Sequence, residues 1–540
     1  MGKNILVAVA WPYASGSRHL GHMGGAYLPA DIFARYNRAV GNKTIMVSGS
    51  DAHGTPITVR ADEEGVEPID IVNKYHKEFL NYWERLNISW DNYTTTMTKT
   101  HKEVVQDIFI KLHEKGLIYK KTTEQAYDPK EKRFLPDRYV EGSCPKEDCG
   151  ATGARGDQCD NCGSTLDPVE LINPVSKISG TPAEFKKTEH FFLKLSALEK
   201  SLLPWLETRK GWRPHVINWS KSFVKSGLQD RAITRDLDWG IEIPIKDLGD
   251  GKKIYVWFEA VIGYLSATVE WARNKGNPDE WKDWWEDTNA ETYYFVGKDN
   301  IPFHAVIWPA ILEGYENLNL PTNVPANQYI LIKGEKASAS KGVGKSLNEY
   351  LDEWEPDSLR YCLASILPEQ ADTEISEEDL KKRNNEELVA TWGNLVQRVF
   401  SLLSSNFATI PEVVDLKSND EELLKKSSDI FQEVGAFIEK VELKNGLQAS
   451  MSFVSKINVY LNENEPWKVL KEDKERAGTV LTVSLTAIIS AANVLSPYMP
   501  TTSKKVLDAI PREHGNIWEI SKAIPGGKIK QIGHLFKKFD

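Results

Sequence analysis

The chain has 540 residues, 41% of them hydrophobic and 27% charged, with a formal net charge of −10. That length exceeds what one hydrophobic core supports and predicts three or four domains, and the composition excludes a disordered or fibrous chain. The acidic balance excludes a globally basic nucleic-acid binder while leaving room for a local basic face.

In chain order, the N-terminus "MGKNILVAVAWPY" has a short apolar run with no basic lead or cleavage-like site. No stretch reaches about 18 uninterrupted apolar residues, so a cytoplasmic protein without a membrane span is expected. The run Ile5 to Ala10 reads as a buried strand, and "GAYLPADIFARYNRAVG" after it has apolar positions at helical spacing. Between them, "PYASGSRHLGHMGG" is rich in small residues and places His19 and His22 three apart. In a doubly wound sheet the helix after a strand turns its free N–H groups toward bound phosphate. Two imidazoles there can hydrogen-bond a phosphorus centre as charge develops in a displacement. The plainer alternative is that they cap the helix or satisfy core polar groups.

"KTIMVSGSDAHG" repeats the strand-then-turn style, and "IYVWFEAVIGYLSATVEWAR" and "AETYYFVGKDNIPFHAVIWPAILEG" return to it later. The expected fold class is therefore α/β: a doubly wound, Rossmann-like parallel sheet split over residues 1–116 and 232–325, interrupted by an insertion at 117–231. Residues 326–374 follow as a connecting region. From 375 to 540 strand signals stop and amphipathic runs such as "EELVATWGNLVQRVFSLLSSN" predict an all-helical domain.

Four of five cysteines lie in the insertion, as Cys144, Cys149, Cys159 and Cys162, spaced C-x4-C and C-x2-C. Thiolate pairs on two tight turns can close a tetrahedron around Zn²⁺, and four thiolates leave no open position for chemistry. Two disulfides are the alternative, disfavoured in a chain without an export signal. Since "YDPKEKRFLPDRY" contains no cysteine, one structural zinc in a knuckle at 144–163 is expected. Cys362, in the helical "PDSLRYCLASIL", reads as a core residue.

"HLGH" after "PYASGSR" resembles the HIGH element of class I aminoacyl-tRNA synthetases. The further stretches "SGSDAHGTPI", "FLPDRYVEG", "ARGDQCDNCG", "EHFFLKL", "YVWFEAVIGY", "YYFVGKDNIPFHAVIWPA", "PDSLRYCLA" and "NENEPWKVL" are similar, in order, to the methionyl-tRNA synthetase family, with an archaeal-type pattern. The likeness covers nearly the whole chain. It implies a catalytic sheet domain, a zinc-containing connective insertion, a KMSKS-like loop and stem-contact region at 326–374, and an anticodon-binding helical domain. It also implies methionine, ATP with Mg²⁺, and tRNA(Met) as partners. No membrane partner is implied, and a monomer is expected.

The resemblance assigns His19, His22, Lys298, Asp299, Arg235 and Lys336 to the nucleotide and its phosphates, and Lys341 is added as a neighbouring charge for the same phosphates. It places Asp51 on the methionine amino group, where an ammonium taken out of water needs a charged acceptor. Trp11, Tyr13, Trp257, Ala260, Tyr264, Phe303 and His304 fall on the walls around the thioether, and sulfur against aromatic edges is a favourable contact. Asn394, Arg398 and Trp467 match anticodon-contacting positions, a plane to stack a base and two groups to read its edge. Each aromatic taken singly reads equally well as core, and each charge as a solvated pair.

Two places depart from the family pattern. "YVWFEAVIGY" has Glu259 and Val261 where Asp and Pro are expected, which predicts a differently shaped pocket wall. "EKASASKGVGKS" stands where KMSKS is expected, with Lys336, Ser338 and Ser340 matching but Ala339 replacing the second lysine, so Lys336, Lys341 or Lys345 would have to supply the missing charge. Two other readings remain open: a class I synthetase for another amino acid such as cysteine or leucine, and a catalytically impaired relative that binds tRNA.

Overall fold

The computed structural model describes residues 2–156, 159, 161–162, 164, 166–246, 251–332, 334–336, 344–513, 515 and 517–540, Lys336 as backbone only. Five strands form one sheet in the order 326–327, 291–297, 4–9, 43–50, 92–95, and every pairing is parallel. The central strand Asn4–Val9 sits between its neighbours with Ile5 opposite Glu291 on one side and Thr44 on the other. Its continuous apolar run is explained by cover on both faces: Ile5, Val7 and Val9 enter one core cluster, Leu6 and Ala8 another. Three strands precede the insertion and two follow it, so the chain leaves the sheet and returns to complete it.

The insertion is antiparallel. Strands Ile118–Asp128 and Glu184–Leu193 pair from Ile118–Leu193 to Tyr127–Glu184, and a three-stranded sheet, Thr152–Arg155, Val140–Ser143 and Ile172–Ser176, frames the cysteines. The C-terminal region is helical, with Asn394–Asn406, Ser418–Glu439, Leu443–Asn464, Lys474–Leu495 and Pro500–Ala509 as its main helices. Lys474–Leu495 is long and apolar enough to cross a membrane, yet every residue from Ala477 to Leu495 lies buried inside the protein, which is why that stretch carries no charged face.

A buried ion pair ties the bundle to the sheet. Arg360, on helix Pro356–Ala364, is 0% exposed and lies 2.7 Å from Asp31 of helix Leu28–Ala39. Its guanidinium also donates to Tyr498 O at 2.9 Å, Pro497 O at 2.9 Å and Leu86 O at 3.2 Å. Burial works against the Asp31 charge, but Arg360 and Arg35 outweigh it and hold the carboxyl down at about 2. Cys362, on the same helix, is core as expected.

Candidate active site

Three adjacent parallel strands end at Val9, Ser50 and Gly297, and the first residues past those ends are the ones singled out from sequence: Trp11 and Tyr13, Asp51, and Lys298 with Asp299. This is the crevice in which open α/β sheets place ligands. A parallel bridge between Tyr13 and Asp51 holds the first two loops together, with Asp51 N donating to Pro12 O and Ala14 N to Asp51 O, each at 2.9 Å.

Helix Val256–Asn274 supplies the opposite wall. Trp257, Ala260 and Tyr264 are spaced three and four apart and so share one face. Trp257 stacks on Phe303 at 4.0 Å between centroids and meets Tyr13 edge-on at 6.1 Å, while Trp11 meets Tyr264 edge-on at 6.5 Å. The Tyr264 hydroxyl lies 2.6 Å from His304 Nε2, and His304 Nδ1 lies 2.9 Å from Asn300 O. A carbonyl only accepts, so Nδ1 carries the proton and Nε2 accepts from the tyrosine. Burial lowers this imidazole to about 4 and keeps it neutral. Space for the rings comes from glycines: a Cβ on Gly54 would lie 2.1 Å from the Tyr13 ring, and one on Gly263 2.8 Å from the Trp11 ring.

Asp51 is 3% exposed, and burial, reinforced by the charge of Glu259, pushes its carboxyl up to about 8. A carboxyl in that state gains from a cationic ligand. Glu259, one of the two departures from the family pattern, is fully buried. His53 Nδ1 sits 3.0 and 3.1 Å from its two oxygens and His101 Nε2 3.8 Å from one of them. Burial disfavours the charges, yet the pairing holds Glu259 below and His53 above their ordinary ranges. The longer acid reaches two histidines. Val261 packs in the sheet core.

His19 and His22 meet as expected, their ring centroids 3.8 Å apart. His19 is the N-cap, its Nδ1 accepting from Gly21 N at 3.1 Å, and His22 Nδ1 accepts from His19 N at 3.3 Å. The plainer of the two expected roles, capping the helix, is therefore met by both rings. The helix then widens into a π-turn, Met23–Tyr27, before resuming at Leu28. Two more π-turns lie at Phe303–Ile307, which carries His304, and at Asn384–Gly393, which leads into Asn394. Such bulges concentrate at functional sites. Arg18, missed from sequence, anchors the loop through Gly16 O at 2.5 Å and Tyr13 O at 3.2 Å and approaches His22 Nε2 to 3.4 Å.

Arg235 lines a cavity with Tyr13, His53 and Trp257. Burial opposes its charge, but Asp137, 3.6 Å away, and the Tyr255 ring, 4.1 Å from the guanidinium carbon, raise it above the ordinary arginine range. Lys298 is bound to Asp372 at 2.8 Å and lies over the Tyr329 ring, whose hydroxyl bonds Asp299. Of the expected KMSKS-like loop, Lys341, Ser338, Ala339 and Ser340 lie outside the described residues, as does the side chain of Lys336; the Lys336 backbone pairs with Leu331. Lys345 is held by Glu353 and Glu377, both at 2.9 Å, so it is committed elsewhere.

The four cysteines come together, their sulfurs within 4.8 Å of one another and in no disulfide. They form a cluster able to hold a metal ion, and an all-sulfur tetrahedral set fits Zn²⁺. In the helical domain Arg398 lies over the Trp467 ring at 5.0 Å and donates to Asn462 at 2.9 Å. Asn394 is exposed one turn earlier on the same helix.

A parallel sheet with an HLGH turn at its first crossover and a helical domain docked behind it defines a class I tRNA synthetase. A family model described as "tRNA synthetases class I (M)" matches residues 5–400, and the "Anticodon binding domain of methionyl tRNA ligase" matches residues 410–539. The chain is 44% identical over 577 residues to the methionine–tRNA ligase of Roseiflexus castenholzii, covering 100% of this chain and 97% of that one. It is 45% identical over 544 residues to that of Dehalococcoides mccartyi, covering 100% and 98%. Mycobacterium tuberculosis methionyl-tRNA synthetase in complex with methionyl-adenylate superposes with a TM-score of 0.82 at 25% identity, covering 99% of each chain. The chain belongs to the methionyl-tRNA synthetase family. These relatives are bacterial, which lends the archaeal-type expectation no support.

Proposed function

We propose that the chain performs the reaction of its family, ATP-dependent ligation of methionine to tRNA(Met) through methionyl-adenylate, with the following roles. The observation that carries this reading is a buried carboxyl, Asp51, set beside an aromatic wall at the carboxyl end of a parallel sheet. Asp51 takes the ammonium of methionine, and Trp11, Tyr13, Trp257, Ala260, Tyr264, Phe303 and His304 surround the thioether. The methionine carboxylate then attacks the α-phosphorus of ATP, a P–O bond forms, and pyrophosphate leaves with the electrons of the broken one. His19, His22, Lys298, Arg235, Lys336 and Lys341 offset the charge that builds on the phosphates, and Asp299 orients the nucleotide. Mg²⁺ bound with ATP supplies further neutralisation. In the second step the terminal hydroxyl of tRNA attacks the activated carbonyl and releases AMP.

Asn394, Arg398 and Trp467 read the anticodon, and Zn²⁺ on Cys144, Cys149, Cys159 and Cys162 holds the insertion in shape. The same reading divides the chain at 116, 231, 325 and 374 and expects a cytoplasmic monomer. The test is charging of a tRNA(Met) transcript together with Ala339→Lys. Methionine activation is expected in the unmodified chain, with a faster rate and unchanged methionine KM in the variant, because an added charge at that loop acts mainly in the transition state. No activation in either form would reject the reading in favour of a binding protein.

A further inference from the structure

The π-turn after His22 creates an orphan carbonyl. Leu28 N donates to Met23 O, and the next residue, Pro29, has no N–H, so Gly24 O finds no donor in its own helix. Asn327 Nδ2 supplies one at 2.9 Å from the edge strand of the sheet, and Asn327 is 1% exposed. The Asn327 side-chain oxygen in turn accepts from Arg213, the N-cap of helix Pro214–Lys225 in the insertion, whose Nη1 also donates to Ala326 O at 2.9 Å. The second guanidinium arm, Nη2, reaches Val441 O at 3.3 Å.

Val441 lies in the turn between the bundle helices Ser418–Glu439 and Leu443–Asn464 with φ at 58°. A β-branched residue in that conformation persists only where its surroundings hold it. Glu369 holds the same turn, accepting from Leu443 N at 2.8 Å and Lys444 N at 3.2 Å, and Tyr498 donates to Leu443 O at 2.8 Å. Arg213 is 8% exposed and Glu369 equally so. A continuous buried chain of hydrogen bonds therefore runs from the bundle turn, through Arg213 and Asn327, to the carbonyl two residues beyond His22.

We propose that Arg213 and Asn327 are positioning residues that fasten the HLGH turn to the base of the helical bundle, Arg213 acting through Asn327. This rests on the reading of that turn as the nucleotide site. The two residues touch no substrate; they fix where His22 stands, so their loss shows in turnover with ATP rather than in methionine affinity. It also places the link where a shift of helix Leu443–Asn464 reaches the phosphate-binding turn.

Asn327→Asp is the sharpest variant: it keeps the size and the acceptor for Arg213, and it replaces the donor to Gly24 O with a carboxylate oxygen that repels that carbonyl. Methionine-dependent ATP–pyrophosphate exchange is expected to lose at least about fivefold in kcat, with methionine KM unchanged when assayed below the variant's own, lowered, unfolding temperature. Arg213→Lys, which loses the planar fork, should lose kcat likewise, and the double variant should be no slower than the slower single one because both act in series. Full activity in Asn327→Asp, or losses that multiply in the double variant, would overturn the proposal. His22→Ala separates the two readings. If it retains full rate, the nucleotide reading fails and takes the proposal with it; if it is slow while Asn327→Asp is not, the proposal alone falls.

Discussion

Gly263→Ala would place a methyl group against the Trp11 ring. The new Cβ would lie 2.8 Å from Cε2, 2.9 Å from Cζ2 and 3.1 Å from Nε1, inside any ordinary carbon contact. The far edge of the ring already fills the space a Gly49 side chain would take, Cζ3 and Cη2 lying 2.2 and 2.5 Å from that Cβ position, so it sits on the Gly49 backbone with little room to retreat. It must tip toward Tyr264 and the space assigned to the methionine side chain. Overpacking of this kind costs about 1 to 3 kcal/mol, which as lost ligand affinity is roughly 5- to 150-fold. Gly263 lies in the interior of helix Val256–Asn274, where alanine in place of glycine favours the helix by about 1 kcal/mol. Global stability should therefore change little while the pocket closes. In methionine-dependent ATP–pyrophosphate exchange, methionine KM is expected to rise by that factor with ATP KM unchanged. An unaltered methionine KM, or an equal rise for both substrates, would refute the placement of Trp11 in the methionine wall.

Asp31→Asn removes the counter-charge from buried Arg360; breaking such pairs costs about 3 to 5 kcal/mol, and the low end is expected because three carbonyls still bind the guanidinium. Thermal unfolding reads it, and in the parent the Asp31 contribution should be complete above the usual aspartate range and fade as pH falls through about 2, since its carboxyl is depressed when folded. Methionine KM should fall as pH rises toward about 8, where Asp51 gives up its proton to meet the ammonium, and Asp51→Asn should abolish that dependence and raise KM roughly 10- to 150-fold, the worth of a charged hydrogen bond. Elemental analysis should find one zinc per chain; Cys159→Ser should release it and lower tRNA charging more than adenylate formation, because the metal lies outside the sheet domain.

The sheet, the insertion and the helical region were legible because each leaves a periodic or spacing signal. Ile5 to Ala10 is apolar without a break, the cysteines come in pairs, and the bundle helices repeat at helical period. Asp51, Trp11 and Lys298 were assigned through the family resemblance, and the fold sets each of them just past a strand end. The role of Glu259 was not legible because sequence gives its neighbours on the helix but not the histidines it faces, His53 and His101, which come from two other elements. Arg213 and Asn327 left no signal at all. Their partners lie 228 and 303 residues away along the chain, and only the fold joins them. The π-turn had a faint trace, the pair Gly24 and Gly25 followed by Pro29, since a proline there strands a carbonyl that something else must satisfy.

The most direct test of the whole account is ATP–pyrophosphate exchange run with each amino acid in turn on the purified chain. Exchange driven by methionine, lost in Asp51→Asn, is the predicted result. Exchange driven instead by cysteine, leucine or another amino acid, or methionine exchange indifferent to Asp51, would contradict it.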